Sequence, residues 1–267
     1  DGGGCFREKE RLVNPARTEG VGAMIALLVH RLRDYGTAYP LTGIGVATAG
    51  VVDAATGTIA CDAMNIPDYR GTRLKAILSE AAGLPVAVEN DVNCAALGEM
   101  WQGAGRGCSS LFAMTIGTSI GGALILDGHI VHGASMSAGE IAYMRAPGGR
   151  LHERCSATHL VSSVCRTKGL PSGSIDGRAV FDLLAKGDPA AAEEVTALVT
   201  ALADAITNVV AVVNPECIVL GGGIMAQESA LRPPLEAALR DRLPPRVYEV
   251  TKIAFAATGN DAGMLGA

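Results

Sequence analysis

Apolar residues recur every three to four positions in four segments of the chain, which is the spacing of a helix with one buried face. The segments are residues 21–32, 72–82, 190–213 and 227–243. Gly36 and Pro215 stand shortly after two of them, and residues of these types end helices. Shorter apolar runs lie between the helices and predict strands. These runs are residues 41–49, 85–88, 217–220 and 247–256.

A different pattern occupies the middle of the chain, where β segments follow one another with only glycine-bearing turns between them. These segments are residues 110–116, 121–126 and 129–132. Such short turns join antiparallel strands, so the pattern predicts a β-meander. Helices and strands alternate before residue 90 and the meander comes after it. We therefore place one α/β domain at residues 1–90 and a second at residues 91–267.

The charge balance and the cysteines limit the partners and the compartment. Asp and Glu number 27 against 22 Lys and Arg, and no basic stripe could neutralise a nucleic-acid backbone. The longest nearly uncharged apolar run identified, residues 20–29, is far shorter than the ~20 residues of a membrane span. Seven scattered cysteines without a C-x-x-C pair are typical of reduced thiols. With no secretory signal pattern, we expect a cytoplasmic protein with no nucleic-acid or membrane partner.

Glycine is the compositional outlier, with 34 residues in 267. Four glycine-bearing segments follow or link strands, at residues 2–4, 49–50, 117–122 and 221–223. Because glycine has no Cβ, backbone N–H groups in such loops can approach a phosphate closely, so nucleotide binding is one interpretation. The other is that each is only a turn. None matches the P-loop pattern or a G-x-G-x-x-G that opens a helix within a βαβ unit.

Asn90 and Asp91 fall between the predicted strand 85–88 and a predicted helix at residues 92–101. In open α/β sheets, such junctions line ligand crevices. A carboxylate there can accept the proton of a bound hydroxyl, as phosphoryl transfer requires. The alternative is that Asp91 only caps the helix, since Asp is a favoured N-cap residue. The spacing alone leaves both interpretations open.

Five motifs, in order across residues 42–267, resemble the ROK family of sugar kinases and repressors. The motifs are VENDVNCAALGE (88–99), TIGTSIGGALILDGHIVHG (115–133), SAGEIAYM (137–144), NPECIVLGGGI (214–224) and GNDAGMLGA (259–267). The resemblance implies an actin-like, hexokinase-like ATPase fold of two α/β domains with an interdomain cleft. It also implies ATP with Mg²⁺ as the phosphoryl donor, a sugar as the acceptor, and a homodimer.

On the acceptor side, the resemblance assigns roles to four residues. Asp91 matches the family's general base, which takes the proton of the attacking sugar hydroxyl. Asn90 and Glu140 match residues that hold sugar hydroxyls. Asn65, in the segment MNIP, lies where the family has its sugar-contacting N-x-P loop.

On the nucleotide side, the resemblance implies two loops in the second domain. Gly117 and Thr118 match the second phosphate loop, where a backbone N–H and a hydroxyl reach phosphate oxygens. The adenosine-side loop matches Gly221, Gly222 and Gly223.

The first phosphate loop of the family, D-x-G-G-T, is matched by DGGGC at the start of the chain. Gly3 and Gly4 take the glycine positions, and Cys5 replaces the Thr. The family has a β-hairpin between this loop and a segment like REKERLVNPAR. Only a few residues lie there in this chain, so the first domain is predicted without that hairpin.

Zinc-binding members of the family carry G-E-I-G-H and a cysteine-rich loop, and this chain departs from both. Tyr143 stands at the His position, only Cys155 of the cysteine cluster is present, and Ala157 replaces the loop's Glu. A single soft ligand cannot make a tetrahedral zinc site, so no structural zinc is predicted. His152 and His159, on one predicted helix, are interpreted as surface or core histidines. Without polar contacts near the anomeric carbon, Tyr143 is expected to contact sugars that carry a substituent there.

The sequence thus predicts an ATP-dependent kinase acting on the 6-hydroxyl of a glucose-like hexose or a β-glucoside, similar to the zinc-free branch that includes β-glucoside kinases. One alternative is a sugar-sensing regulator of the same family, whose members carry an N-terminal helix-turn-helix; nothing of that kind precedes the phosphate loop here. The other is a binding-only pseudokinase, suggested by Cys5 and the short hairpin region. Retention of Asp91 favours the kinase.

Overall fold

The structure is a computed structural model that describes residues 5–61 and 66–267. Its strands are β1 (Ile44–Thr48), β2 (Val51–Asp53), β3 (Thr58–Cys61), β4 (Val86–Asn90), β5 (Leu111–Ile116), β6 (Ile120–Leu126), β7 (His129–Ile130), β8 (Arg145–Ala146), β9 (Gly149–Arg150), β10 (Cys217–Gly221) and β11 (Lys252–Phe255). Its α-helices are α1 (Ala16–Glu19), α2 (Val21–Ala38), α3 (Leu74–Ala82), α4 (Asp91–Gln102), α5 (His152–Cys155), α6 (Ala157–Thr167), α7 (Gly177–Ala185), α8 (Pro189–Val213), α9 (Glu228–Arg242), α10 (Pro245–Val250) and α11 (Ala262–Gly266).

Contacts between residues divide the chain into two compact units. The first holds the described residues up to Gly98, together with His132–Ser137 and Asp261–Ala267. The second holds Glu99–Val131 and Ala138–Asn260. This grouping runs past residue 90 and returns two later segments to the first unit. The division into domains at residue 90 stays a prediction.

In the first unit, β1 and β4 run parallel, with Thr48 opposite Asn90 at their carboxyl ends. The antiparallel pair β2 and β3 covers a small core in which Tyr69 is buried and its hydroxyl lies 2.8 Å from Thr48 Oγ1. Helix α11 packs directly on α4, because a Cβ at Gly266 would lie only 1.8 Å from the carbonyl oxygen of Cys94. That close approach is why the C-terminal residues belong to this unit.

In the second unit, five strands form one sheet in the order β11-β10-β5-β6-β7. Strands β11, β10 and β5 are parallel, whereas β5, β6 and β7 are antiparallel in succession. The predicted meander is therefore confirmed as far as Ile130. Strands β5 and β10 are buried almost throughout, and helices α5 to α9 contribute to the same core.

Helix α8 is the one described helix that is long and apolar enough to cross a membrane by length and composition. The search for apolar runs in the sequence missed it, although Asp204 is the only charged residue between positions 195 and 213. Eleven residues of α8 are buried, and Leu198, Leu202 and Ile206 belong to the core of the second unit. Burial inside the protein explains the composition of this helix.

Two sequence predictions in this unit are wrong. Residues 247–256 do not form one strand, because Pro245–Val250 is helical and only Lys252–Phe255 extends as β11. Proline fits the first turn of a helix, and Pro245 occupies that position of α10. His152 and His159 lie on two helices instead of one, because Ser156 ends α5 and caps α6 with its side chain.

Candidate active site

The junction of β4 and α4 in the first unit is organised by the side chain of Asn90. Its Oδ1 accepts hydrogen bonds from the backbone N–H groups of Val92, at 2.8 Å, and Asn93, at 3.2 Å. Its Nδ2 donates to the carbonyl oxygen of Gly50 at 3.0 Å. These contacts satisfy the first free N–H groups of the helix, which is the task of an N-cap residue. Asn90 therefore caps α4.

Asp91 is the first residue of α4, and its side chain is exposed. Its Oδ1 accepts one bond, from the N–H of Val92 at 3.0 Å. Partial removal of water by neighbouring protein atoms raises the pKa of Asp91, against the opposing bonds from Val92 and Asn90. A raised pKa makes a carboxylate a stronger proton acceptor. Because Asn90 does the capping, the interpretation of Asp91 as only a helix cap loses its main support.

The hydrogen bonds of Asn90 also define what it can still offer a ligand. An amide has two acceptor sites on oxygen and two N–H donors. Both acceptor sites of Asn90 are filled by Val92 and Asn93, and one donor is directed at Gly50. The second N–H of Nδ2 interacts with the Asp91 carboxylate, and it is the donor proposed to reach a sugar hydroxyl oxygen.

Glu89 precedes this junction, and the sequence analysis missed it. Its Oε1 accepts from the backbone N–H of Asn90 at 2.8 Å and from Nδ2 of Asn93 at 2.9 Å. Its Oε2 lies 2.6 Å from Nε2 of His132. The available signal was a carboxylate ending an apolar strand, four residues before an amide on the following helix.

In the second unit, the turn between β5 and β6 is tied down through its carbonyl groups. The carbonyl oxygen of Gly117 accepts from the N–H of Ala157 at 2.8 Å, and that of Thr118 accepts from Oγ1 of Thr158 at 2.9 Å. Thr118 is exposed, and no hydrogen bond among the described residues uses its N–H or its hydroxyl. The turn is thus attached to α6 through two carbonyl groups, and this attachment does not use the N–H or the hydroxyl of Thr118.

The glycines of the predicted nucleotide loops differ in what the fold demands of them. Gly222 has φ +96°, and a Cβ there would lie 2.4 Å from the carbonyl oxygen of Ile116. A Cβ at Gly117 would meet nothing closer than 3.8 Å, and one at Gly223 would meet nothing within 4 Å. Of Gly117, Gly222 and Gly223, packing therefore requires glycine at position 222 alone. Close approach of a ligand is the remaining physical reason for glycine at positions 117 and 223.

Glu140 immediately precedes a short 3-10 helix, Ile141–Tyr143, in the second unit, and Tyr143 is its last residue. Gly139, at φ +92°, packs against β6, where a Cβ would lie 2.6 Å from the carbonyl oxygen of Gly122. This contact fixes the backbone just before the half-buried Glu140. The ring of Tyr143 is 68% exposed, with the guanidinium of Arg150 6.0 Å from its centroid. An exposed aromatic face is available there for packing.

A second carboxylate that the sequence analysis did not single out is Glu99, which is only 2% exposed. It accepts bonds from the N–H groups of Ala104 (2.7 Å), Ala257 (3.0 Å) and Thr258 (2.8 Å), and from the Thr258 hydroxyl (2.5 Å). Burial raises the pKa of Glu99, but these bonds outweigh it, so the net pKa lies below its ordinary value. Glu99 therefore fixes the end of α4 to the loop that follows β11.

Three predicted site residues, Gly3, Gly4 and Asn65, lie outside the described residues. Cys5 is described and is exposed.

The residues weighed as metal ligands have other contacts. Cys155 is fully buried with its thiol directed at the carbonyl oxygen of Leu198, and burial raises its pKa to about 12. His152 Nδ1 lies 3.0 Å from the Ser119 hydroxyl, whereas His159 Nε2 lies 3.4 Å from the Ser163 hydroxyl. Within residues 5–61 and 66–267, no three His, Cys, Asp or Glu side chains are grouped to hold a metal. The lack of structural zinc stays a prediction.

Sequence comparison relates this arrangement to known proteins. An uncharacterized protein of Clostridium perfringens is 51% identical over 227 residues, which are 85% of this chain and 77% of that protein. A glucokinase of Halalkalibacterium halodurans is 34% identical over 248 residues, 85% of this chain and 74% of that protein. A β-glucoside kinase of Klebsiella pneumoniae is 32% identical over 234 residues, 84% of this chain and 76% of that protein.

Comparison with solved structures identifies the fold. The crystal structure of a ROK hexokinase from Thermus thermophilus superposes with a TM-score of 0.82 at 28% identity, covering 96% of this chain and 87% of that one. The predicted hexokinase-like α/β fold is thereby confirmed. The profile of the ROK family matches residues 3–267, nearly the whole sequence. The chain belongs to the ROK family.

Proposed function

We propose that this protein is an ATP-dependent sugar kinase that transfers the γ-phosphate to the 6-hydroxyl of a glucose-like hexose or a β-glucoside. The observation that carries the proposal is the carboxylate of Asp91, which stands at the end of a parallel strand with a raised pKa while Asn90 caps the helix. The names of the relatives, glucokinase and β-glucoside kinase, support the same class of reaction.

In this reaction the sugar hydroxyl oxygen attacks the γ-phosphorus of ATP. A new O–P bond forms, the bond from phosphorus to the β,γ-bridging oxygen breaks, and ADP leaves. The proton of the hydroxyl passes to Asp91, whose raised pKa suits a general base. Because Asn90 and Glu89 fix the junction around it, Asp91 needs little reorganisation to receive that proton.

The remaining residues bind and orient the two substrates. The second Nδ2 N–H of Asn90, beside Asp91, donates to a sugar hydroxyl, and Glu140 accepts from a sugar hydroxyl. The N–H and hydroxyl of Thr118 donate to phosphate oxygens, while Gly117 and Gly223 leave room for the nucleotide. Mg²⁺ bound to ATP would neutralise phosphate charge, and it would be held by phosphate oxygens, water and one or two carboxylates, without a dedicated cluster of protein ligands.

The acceptor is proposed to tolerate a substituent at the anomeric carbon. The exposed face of Tyr143, beside Arg150, suits packing against an aglycone or a second sugar ring. Glucose and cellobiose should therefore be compared by kcat/KM at equal ATP and Mg²⁺, with Tyr143→His alongside. We expect cellobiose to be used at least as well as glucose, and Tyr143→His to shift the ratio toward glucose. Inert glucosides with efficient glucose turnover would refute the tolerance and leave the kinase assignment intact.

The decisive test of the class of reaction is ADP release with a panel of hexoses and β-glucosides. We expect turnover with at least one glucose-like acceptor and its loss in Asp91→Asn. Sugar binding by calorimetry without turnover of any acceptor would instead indicate a sensor or a pseudokinase. A cytoplasmic homodimer is part of the proposal, and sedimentation velocity measures the oligomeric state.

A further inference from the structure

The segment His132–Ser137 belongs to the first unit, although the residues on both sides of it in the chain belong to the second. Its first residue is held by a side-chain hydrogen bond, in which His132 Nε2 lies 2.6 Å from Glu89 Oε2. Both side chains are largely covered, with 30% of His132 and 15% of Glu89 exposed. A carboxylate only accepts hydrogen bonds, so Nε2 of His132 carries the proton in this contact.

The other oxygen of Glu89 is directed at the catalytic junction. Oε1 accepts from the N–H of Asn90 and from Nδ2 of the buried Asn93. One carboxylate therefore links the residue before Asp91, the first turn of α4 and the segment that starts at His132. Oε1 of Glu89 makes the contacts with the junction and α4, and Oε2 makes the contact with His132.

The far end of the same segment leads to the second group of predicted sugar contacts. Ser137 is followed by Ala138 and by Gly139, which packs on Gly122 of β6, and Glu140 comes next. Within the first unit, the start of this segment is held by Glu89 through His132.

We infer that Glu89 and His132 form a positioning pair for the sugar substrate. Within the first unit, His132 holds the carboxylate that orders the Asn90–Asp91 junction. This inference rests on the proposed function, in which Asn90 and Asp91 act on the sugar. Neither member of the pair is assigned a contact with the sugar or a proton transfer.

The alternative is an ion pair that contributes only to folding. Such a pair would change the melting temperature and affect sugar and ATP kinetics alike. A positioning pair changes the response to sugar selectively, while the KM for ATP stays unchanged. The two members would also act as one unit, so their substitutions would not add.

Four variants separate these cases. Glu89→Gln has one acceptor oxygen, so it cannot accept from Asn90, Asn93 and His132 together, and it keeps the His132 contact only if the imidazole takes the tautomer that accepts from the amide N–H. His132→Ala removes the contact from the other side, and His132→Gln keeps an N–H donor at similar reach. His129→Ala is the matched control, because that exposed histidine lies three residues away and bonds only the carbonyl oxygen of Asp127.

We expect Glu89→Gln and His132→Ala each to lower kcat/KM for the sugar roughly 10- to 100-fold, the usual loss for a hydrogen bond to a charged group. The double variant should lose no more than the worse single variant. His132→Gln should recover most of the loss, and the control should match the wild type. Amide hydrogen exchange across residues 133–137 should accelerate in the two disruptive variants only.

Additive losses, or equal losses for sugar and ATP, would overturn the inference and leave a structural ion pair. Absence of turnover by the wild type with every acceptor would instead refute the proposed function. In that case, amide exchange and sugar binding by calorimetry still decide the role of the pair. Unchanged exchange or unchanged sugar affinity in Glu89→Gln would refute it.

Discussion

Replacing Asp91 and Asn90 separately distinguishes a general base from a helix cap. Asp91→Asn keeps the size of the side chain and the acceptor for the N–H of Val92, but the amide cannot take a proton. Loss of a general base costs about 10²- to 10⁴-fold in rate, or roughly 3 to 5.5 kcal/mol in activation free energy. Sugar affinity should change little, because Asn90 and Glu140 are retained.

The structure also predicts whether Asp91→Asn and Asn90→Ala raise or lower the melting temperature. Partial removal of water by neighbouring protein atoms raises the pKa of Asp91, so its ionised form costs folding free energy once the pH exceeds the ordinary value of 3.8. Asp91→Asn removes that cost, and the melting temperature at pH 7 should stay level or rise. Asn90→Ala loses the cap, worth about 0.5–2 kcal/mol, and the bond to Gly50, worth about 0.5–1.5 kcal/mol. A melting temperature lower by several degrees is expected.

Differential scanning calorimetry and ADP release on the same preparations measure both properties. The pH profile adds a third reading, since kcat/KM should fall as the pH drops through the raised pKa of Asp91. The reasoning fails if Asp91→Asn turns over sugar near the wild-type rate. It also fails if Asp91→Asn melts several degrees lower, because that would make Asp91 the cap.

Three further predictions concern the second unit. Gly117→Ala and Gly223→Ala should raise the KM for ATP at unchanged melting temperature, whereas Gly222→Ala should lower the melting temperature, because its Cβ would meet the backbone of β5; equal thermal effects would contradict this. Glu99→Gln should lower the unfolding free energy measured in urea by roughly 3 kcal/mol, because the amide NH2 group would face N–H donors that now bond the carboxylate. Because the folded pKa of Glu99 is lowered, the stability that this carboxylate contributes in the wild type should be complete above pH 4.5, its ordinary pKa, and should disappear as the pH falls through the folded pKa. Elemental analysis should find no stoichiometric zinc, and one zinc per chain would show that the region around Cys155 was misread.

Elements with a strong period were predictable from the sequence alone. Helix α8 and the strands β5 and β6 appear close to their predicted bounds, because one buries a helical stripe and the others pair across a short turn. The segment 247–256 was ambiguous for a physical reason. Its apolar residues fit a strand as well as a helix, and only Pro245 at the start of α10 favours the helix.

The position of the site was predictable from the sequence, but the separate roles of Asn90 and Asp91 were not. Asn90 and Asp91 are adjacent, and both are common N-cap residues, so the pattern could not say which one caps. The answer depends on backbone direction at the end of β4, which turns the Asn90 side chain back over the first turn of α4. Because Asn90 supplies the cap, the Asp91 carboxylate is available to act as a base.

The contact between Glu89 and His132 could not be predicted from the sequence. The two residues are 43 positions apart, and neither belongs to a pattern that names the other as its partner. Glu89 could have been read as an ordinary strand-end carboxylate and His132 as part of the meander. Folding makes them partners because the chain, after β7, returns to the first unit for six residues, His132–Ser137, before it enters the second again. A contact created by such a return reflects the topology of the fold, and for that reason its loss should affect the sugar that Asn90 and Asp91 are proposed to hold.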